Sequence, residues 1–145
     1  MAKQTFLSEK EQSMVVKAIE QAELNTSGEI RVHIESSCPG DPVTRAISVF
    51  NQLKMNRTKE RNAVLIYIAW KSHKFAIIGD SGINEKVPEN FWEQEKEILL
   101  DFLKQGKAAE GLVQVIDMAG TNLKKYFEYQ TNDINEQSND ISFGN

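Results

Sequence analysis

The sequence lacks most features that would fix a function at sight. It holds one cysteine, Cys38, so no internal disulfide can staple it. One cysteine with two histidines is also too few for a Cys/His zinc site. No apolar run approaches the roughly 20 residues of a membrane helix, and the opening MAKQTFLSEKEQ has no signal-peptide core. A cytoplasmic location and no membrane association are therefore expected. A basic excess is missing too: 17 Lys and Arg face 21 Asp and Glu, a formal net charge of −4, which argues against a dedicated nucleic-acid binder. No Walker-type loop, G-x-G-x-x-G, H-E-x-x-H, G-x-S-x-G or C-x-x-C occurs.

Lys and Arg are also absent beyond Lys125, although Glu128, Asp133, Glu136 and Asp140 follow. With those four acids set aside, the body carries 17 residues of each sign. The end of the chain is rich in Asn, Asp, Gln and Ser, and such a composition buries too little apolar surface to offset its ordering entropy. One domain over residues 1–128 is expected, with an acidic, disordered tail over 129–145.

What is present reads as alternating helices and strands. Ser8 with Glu11 forms a capping box, and Leu7, Met14, Val15, Ala18, Ile19 and Ala22 recur at helical spacing, predicting a helix over about 8–24. Ile30, Val32 and Ile34 alternate with Arg31, His33 and Glu35 as a strand does. Asp41 and Pro42 then start a helix with Val43, Ala46, Ile47, Phe50 and Leu53 on one face. Residues 63–70 are continuously apolar, which marks a central strand covered on both faces. A short polar turn joins them to a strand over 74–78, making a hairpin. Pro88 is expected to open a long helix with the stripe Phe91, Glu95, Ile98, Leu99, Phe102 and Leu103. A last helix carries Ala108, Leu112, Val115, Ile116, Ala119, Leu123 and Phe127 in register. Ile83–Val87 is a candidate for a short extra strand. The order predicts a three-layer α/β/α sandwich on a mixed sheet of three to four strands, with a right-handed parallel crossover and helices on both faces.

Strand direction gathers Gly28, Glu29, Asn62 and Asp80 at one edge of that sheet. Two carboxylates, an amide oxygen and nearby backbone carbonyls are hard-oxygen ligands of the kind that Mg²⁺ or Ca²⁺ selects. The plainer alternative leaves Glu29 solvated and has Asp80 cap a glycine turn. The basic run Lys54, Arg57, Lys59 and Arg61 lies close by and would attract a phosphate or an acidic partner, unless it is merely a solvated loop. Cys38 with His33 or His73 has the chemistry of a nucleophile and its base, but a turn histidine and one on a polar strand face are expected to be solvated.

Three segments in series carry a resemblance: Gly28-Glu29-Ile30-Arg31-Val32, Arg61-Asn62-Ala63 through Ala69, and Ile77-Ile78-Gly79-Asp80-Ser81-Gly82-Ile83. Their order and spacing, with Gly106 through Leu112 and Tyr126-Phe127, resemble the TPM domain family over about residues 8–128. Ala63 stands where that family commonly has glycine. The resemblance implies a compact α/β/α domain that often binds a divalent cation, Ca²⁺ or Mg²⁺, and places that role on Glu29 and Asp80 with Asn62 as an orienting residue. It also implies, through the plant members, an acid phosphatase activity. No catalytic nucleophile or general acid is assignable here, so a phosphorylated small molecule is the substrate expected on that reading only. A non-catalytic protein-interaction module, with the acidic tail as a charged arm, is the other alternative. A monomer is expected.

Overall fold

In a computed structural model of the chain, residues 6–128 and 138–144 are described. Glu11 N–H donates to Ser8 Oγ at 3.1 Å and Ser8 N–H to Glu11 Oε1 at 2.9 Å, the reciprocal cap that starts α1, Glu9–Glu23. β1 follows at Glu29–Glu35. α2, Pro42–Gln52, begins where Asp41 accepts from Thr44 N–H at 2.9 Å. A 3₁₀ turn at Met55–Arg57 leads to β2, Ala63–Ala69, and β3, Lys74–Gly79. The short α3, Ser81–Asn84, precedes α4, Glu93–Lys104, and α5, Ala108–Lys124, while β4 covers Ser142–Phe143.

The sheet order is β3-β2-β1-β4. β1 and β2 are parallel, with Glu29 opposite Ala63 and Glu35 opposite Ala69, and β3 returns antiparallel to β2. All of β2 is buried. Its Val64, Ile66 and Ile68 enter the larger core, with Ile30, Val32 and Ile34 of β1 and the apolar stripes of α1, α4 and α5. Ala63, Leu65, Tyr67 and Ala69 enter a smaller core under α2, with Ala46, Val49, Phe50 and Met55. Two apolar faces require two covering layers, so the three-layer architecture expected from sequence is the one observed.

Three local expectations are corrected. Ile83–Val87 forms no strand: Asp80 accepts from Ser81 N–H at 2.7 Å and caps α3, whose Ile83 is fully buried. The helix expected from Pro88 starts only at Glu93. Before it, Phe91 N–H donates to Pro88 O and Glu93 N–H to Asn90 O, both at 3.1 Å, as in turns. The rings of Phe91 and Trp92 meet edge to face at 4.6 Å, and Phe91 also meets Tyr126 at 5.6 Å. Both aromatics serve the core, whereas a helix would turn consecutive side chains about 100° apart. The third concerns the tail. Residues 129–137 and 145 lie outside those described, but Ser142 and Phe143 pair in parallel with His33 and Ile34 instead of being disordered. The open edge of β1 supplies backbone partners that composition cannot reveal.

A polar tie joins α4 and α5. Glu95 of α4 is fully buried, and Asn122 Nδ2 of α5 donates to its Oε2 at 2.8 Å, whereas Oε1 has no partner among the described residues. Removing only the donor leaves a buried acceptor unsatisfied. Asn122→Leu is therefore expected to cost about 1–3 kcal/mol in urea unfolding, and the double variant with Glu95→Met to recover most of it.

Candidate functional site

The Asn62–Ala63 backbone organises the edge where the sequence places its site. Glu29 N–H donates to Asn62 O at 3.3 Å, and Asp80 N–H to Ala63 O at 3.0 Å. The strand register thus brings Glu29, Asn62 and Asp80 to one end of the sheet, and all three are buried, at 5%, 1% and 7% exposure.

They share an edge without forming a ligand cluster. Asp80 is held bidentately by Arg61, Nε to Oδ2 at 2.7 Å and Nη2 to Oδ1 at 2.9 Å, in addition to capping α3. The guanidinium belongs to the basic run, but its task here is to neutralise Asp80. Arg61 itself has a left-handed backbone, φ 54°. Its carbonyl accepts Gly82 N–H at 2.9 Å, and Gly82 lies so close that a Cβ there would strike the Glu60 and Arg61 carbonyls. Glycine at 82 is what allows the two loops to touch and Arg61 to face Asp80.

Asn62 is turned the other way. Its Nδ2 donates to Ser27 Oγ at 3.3 Å, Ser27 Oγ donates to Glu60 Oε2 at 2.9 Å, and Asn62 N–H donates to Thr58 Oγ1 at 3.1 Å. Its Oδ1 is buried without a hydrogen-bond partner among the described residues. Gly28 N–H and the Ser27 backbone are tied in by Thr26 Oγ1 and Phe127 O, at 3.1 and 3.0 Å. No group of three His, Cys, Asp or Glu close enough to hold an ion occurs among the described residues.

Glu23, which the sequence reading passed over, completes the edge. Its Oε2 accepts Ile30 N–H at 2.8 Å, on the side of β1 away from β2. Burial, with Glu29 and Glu20 adding like charge, pushes its carboxyl up to about 8 against the lowering effect of that hydrogen bond. A sequence signal for it existed: Glu20 and Glu23 end a helix whose last turn has no basic residue, contrary to the helix dipole.

A cleft of about 520 Å³ opens beside Asp80 and Arg61, walled by Ile47, Phe50 and Ile78 and reaching Lys96. Of the rest of the basic run, Arg57 and Lys59 are exposed.

At the far end of β1 lies a second polar cluster, where the expectation of solvated histidine fails for His33. His33 and Glu35 are 6% and 1% exposed, because α2 and the C-terminal segment cover that side of β1. Arg45 donates to both Glu35 oxygens, at 2.8 and 2.9 Å, and the Tyr67 hydroxyl also donates to Glu35. Burial alone would raise the Glu35 carboxyl; the bonds from Arg45, Tyr67 and His33 outweigh it and hold it down to about 2. His33 moves down from its ordinary range through burial, with Glu35 opposing. Cys38 is 2% exposed, with Sγ 3.5 Å from Gly40 O, and no histidine bond to it is found among the described residues.

Comparison with known proteins gives two kinds of match. A family model described as the TPM domain matches residues 1–122. Among solved structures, the BA42 protein of the psychrophilic bacterium Bizionia argentinensis is similar at 46% identity and TM-score 0.92, covering 99% of this chain and all of that one. The N-terminal domain of the cg2496 protein of Corynebacterium glutamicum shares the fold, at 14% identity and TM-score 0.63, over 96% of this chain and 80% of that one. No curated protein matches.

The elevated Glu23 carboxyl has a consequence for stability. The folded chain keeps this proton up to about pH 8, whereas an unfolded glutamate releases it near 4.5. Stability from this group is therefore complete below the lower value and declines as pH rises between the two. Glu23→Gln, which retains an acceptor for Ile30 N–H, is expected to match wild type in thermal midpoint at pH 4 and exceed it at pH 8.

Proposed function

The chain belongs to the TPM domain family, and from that premise we propose that it binds a divalent cation, Ca²⁺ or Mg²⁺, at the Glu29, Asn62 and Asp80 edge. The observation that carries the reading is Asn62 Oδ1, a buried acceptor with no hydrogen-bond partner among the described residues, on a side chain whose Nδ2 meets Ser27 Oγ, itself bonded to Glu60. Such an atom is costly unless something electropositive meets it, and a hard cation accepts amide, hydroxyl and carboxylate oxygens together. Glu29 adds negative charge, and the proton that burial keeps on Glu23 is one a bound cation would displace. Arg61 is the resident counter-ion of Asp80, and its side chain is 48% exposed, so it can leave for solvent when a cation competes for the carboxylate.

Competition gives the test its sign. In NMR titration with Ca²⁺ and then Mg²⁺, Asp80→Asn is expected to weaken binding at least tenfold, and Arg61→Met to strengthen it several-fold. An Asp80→Asn response identical to wild type refutes the site.

A second reading, hydrolysis of phosphomonoesters, draws support from the cleft beside Asp80. Arg61 and Lys96 line it and are the charge type that grips phosphate. A cation bound there would polarise a phosphoryl oxygen. Phosphate release from an aryl phosphomonoester should then vanish both on chelation and in Asp80→Asn; release indifferent to Asp80 counts against it.

A further inference from the structure

The outer edge of β1 has two occupants. The Glu23 carboxyl takes Ile30 N–H, and β4 covers the edge at His33 and Ile34. The second contact continues beyond the strand, since Gly144 N–H donates to Ile34 O at 2.9 Å.

The fit has a period of two. Asp140 acts electrostatically on Arg31. Ser142 Oγ lies 2.8 Å from His33 Nδ1 and 3.4 Å from Val32 O. A Cβ at Gly144 would strike Glu35 Oε1 and come within 2.8 Å of His33 Nε2, so any larger residue must push the Glu35 carboxylate off its Arg45 and His33 partners. Residues 140, 142 and 144 thus meet residues 31, 33 and 35, while Ile141 packs against the larger core. Backbone bonds supply attraction, and alternate side chains supply selectivity, as in strand-addition recognition of peptides.

The receiving groups are fixed by the protein's interior. Glu35, ionised by Arg45 and Tyr67, accepts the His33 Nε2–H at 3.0 Å. Nδ1 is thereby left to accept a hydroxyl proton at the position of Ser142. Arg45, Tyr67, Glu35 and His33 all belong to the body of the domain, so the hydroxyl acceptor does not depend on the segment that uses it.

Attachment of the segment is slight by comparison. The ladder covers two residues, and Phe143 is 44% exposed. A bridge between Thr26 and Glu128 fixes the chain at the upstream end of the same edge. From Thr26 to Arg31 the edge runs about 16 Å at about 3.3 Å per residue, whereas the 11 residues 129–139 reach about 36 Å when extended. The connection is longer than docking requires, and a tether longer than the span it bridges holds its end at an effective concentration of only about millimolar.

We propose that the outer edge of β1 is a strand-reading site for the sequence Asp140-Ile141-Ser142-Phe143-Gly144, and that a second copy of this chain supplies the segment in trans when copies are concentrated. Exchange between two copies preserves every contact made within one, so nothing in the site opposes it. Tethering, not intrinsic selectivity, keeps the segment on its own chain.

The test uses the full chain and a fluorescent peptide spanning Asn139–Asn145. Wild type should bind the peptide weakly, because its own segment competes. Full-length Gly144→Val, whose segment cannot seat, should bind it at least tenfold tighter, and a peptide with the same substitution should bind neither. Sedimentation of wild type should show dimer growing toward millimolar concentration and dissolving when free peptide is added. Equal affinity of both chains, undiminished binding of the substituted peptide, or a strictly monomeric wild type at millimolar concentration would each overturn the proposal. Ser142→Asp, which sets a carboxylate against the Glu35 cluster, gives an independent open-edge chain with the same expected gain should Gly144→Val fail to fold.

Discussion

The structure depends on a strand with no exposed side. Every residue of β2 is buried, its backbone is shared between parallel β1 and antiparallel β3, and its side chains alternate between two cores. A ladder of that kind exists only if both faces are roofed and both neighbours are in register. α1, α4 and α5 roof one face and α2 the other. Once β2 is fixed, so are the two ends of the sheet, and polar side chains gather there because apolar packing claims the middle. The polar clusters at the two ends of β1 are by-products of that central burial.

Those clusters show how identical side-chain chemistry diverges with its partners. Glu23 and Glu35 are both glutamates bearing on β1. Glu35 meets a guanidinium, a phenol and an imidazole and stays ionised; Glu23 meets one backbone N–H and two other glutamates and holds its proton. Desolvation pushes both the same way, and the hydrogen bonds decide. A carboxylate that stays charged can organise donors around it, as Glu35 does for His33 and Arg45. One that resists charging organises nothing beyond the N–H it accepts. This contrast separates the two ends of β1 in chemical character although they belong to one strand.

Where a pattern is local or strictly periodic, the sequence displays the structure. Ser8 with Glu11, Asp41 with Pro42, and the unbroken apolar run of β2 each announce their conformation because short-range physics determines them. The gathering of Glu29, Asn62 and Asp80 at one edge follows from strand direction alone. Their detailed engagement does not: Arg61 on Asp80 requires a left-handed residue and a glycine contact 21 positions later, which periodicity cannot express. Phe91 and Trp92 leave the helical pattern for each other and for Tyr126. His33 and Glu35 carry the alternation of a solvated face and yet are buried. What buries them includes a segment whose composition reads as unfolded, and composition is silent on whether an edge is waiting for it.

The contact between His33 and Ser142 joins positions 109 residues apart, which gives it a place in time as well as in space. During synthesis both faces of the sheet can be roofed once α5, which ends at Lys124, has emerged, and at about 5–20 residues per second the remaining residues to Gly144 follow about 1–4 s later. Throughout that interval the edge of β1 is uncovered, and the cluster of His33, Glu35, Arg45 and Tyr67 lacks its final neighbour. The last strand is therefore a late closure, and the nascent chain passes through a stage in which the edge at His33 and Ile34 is unpaired.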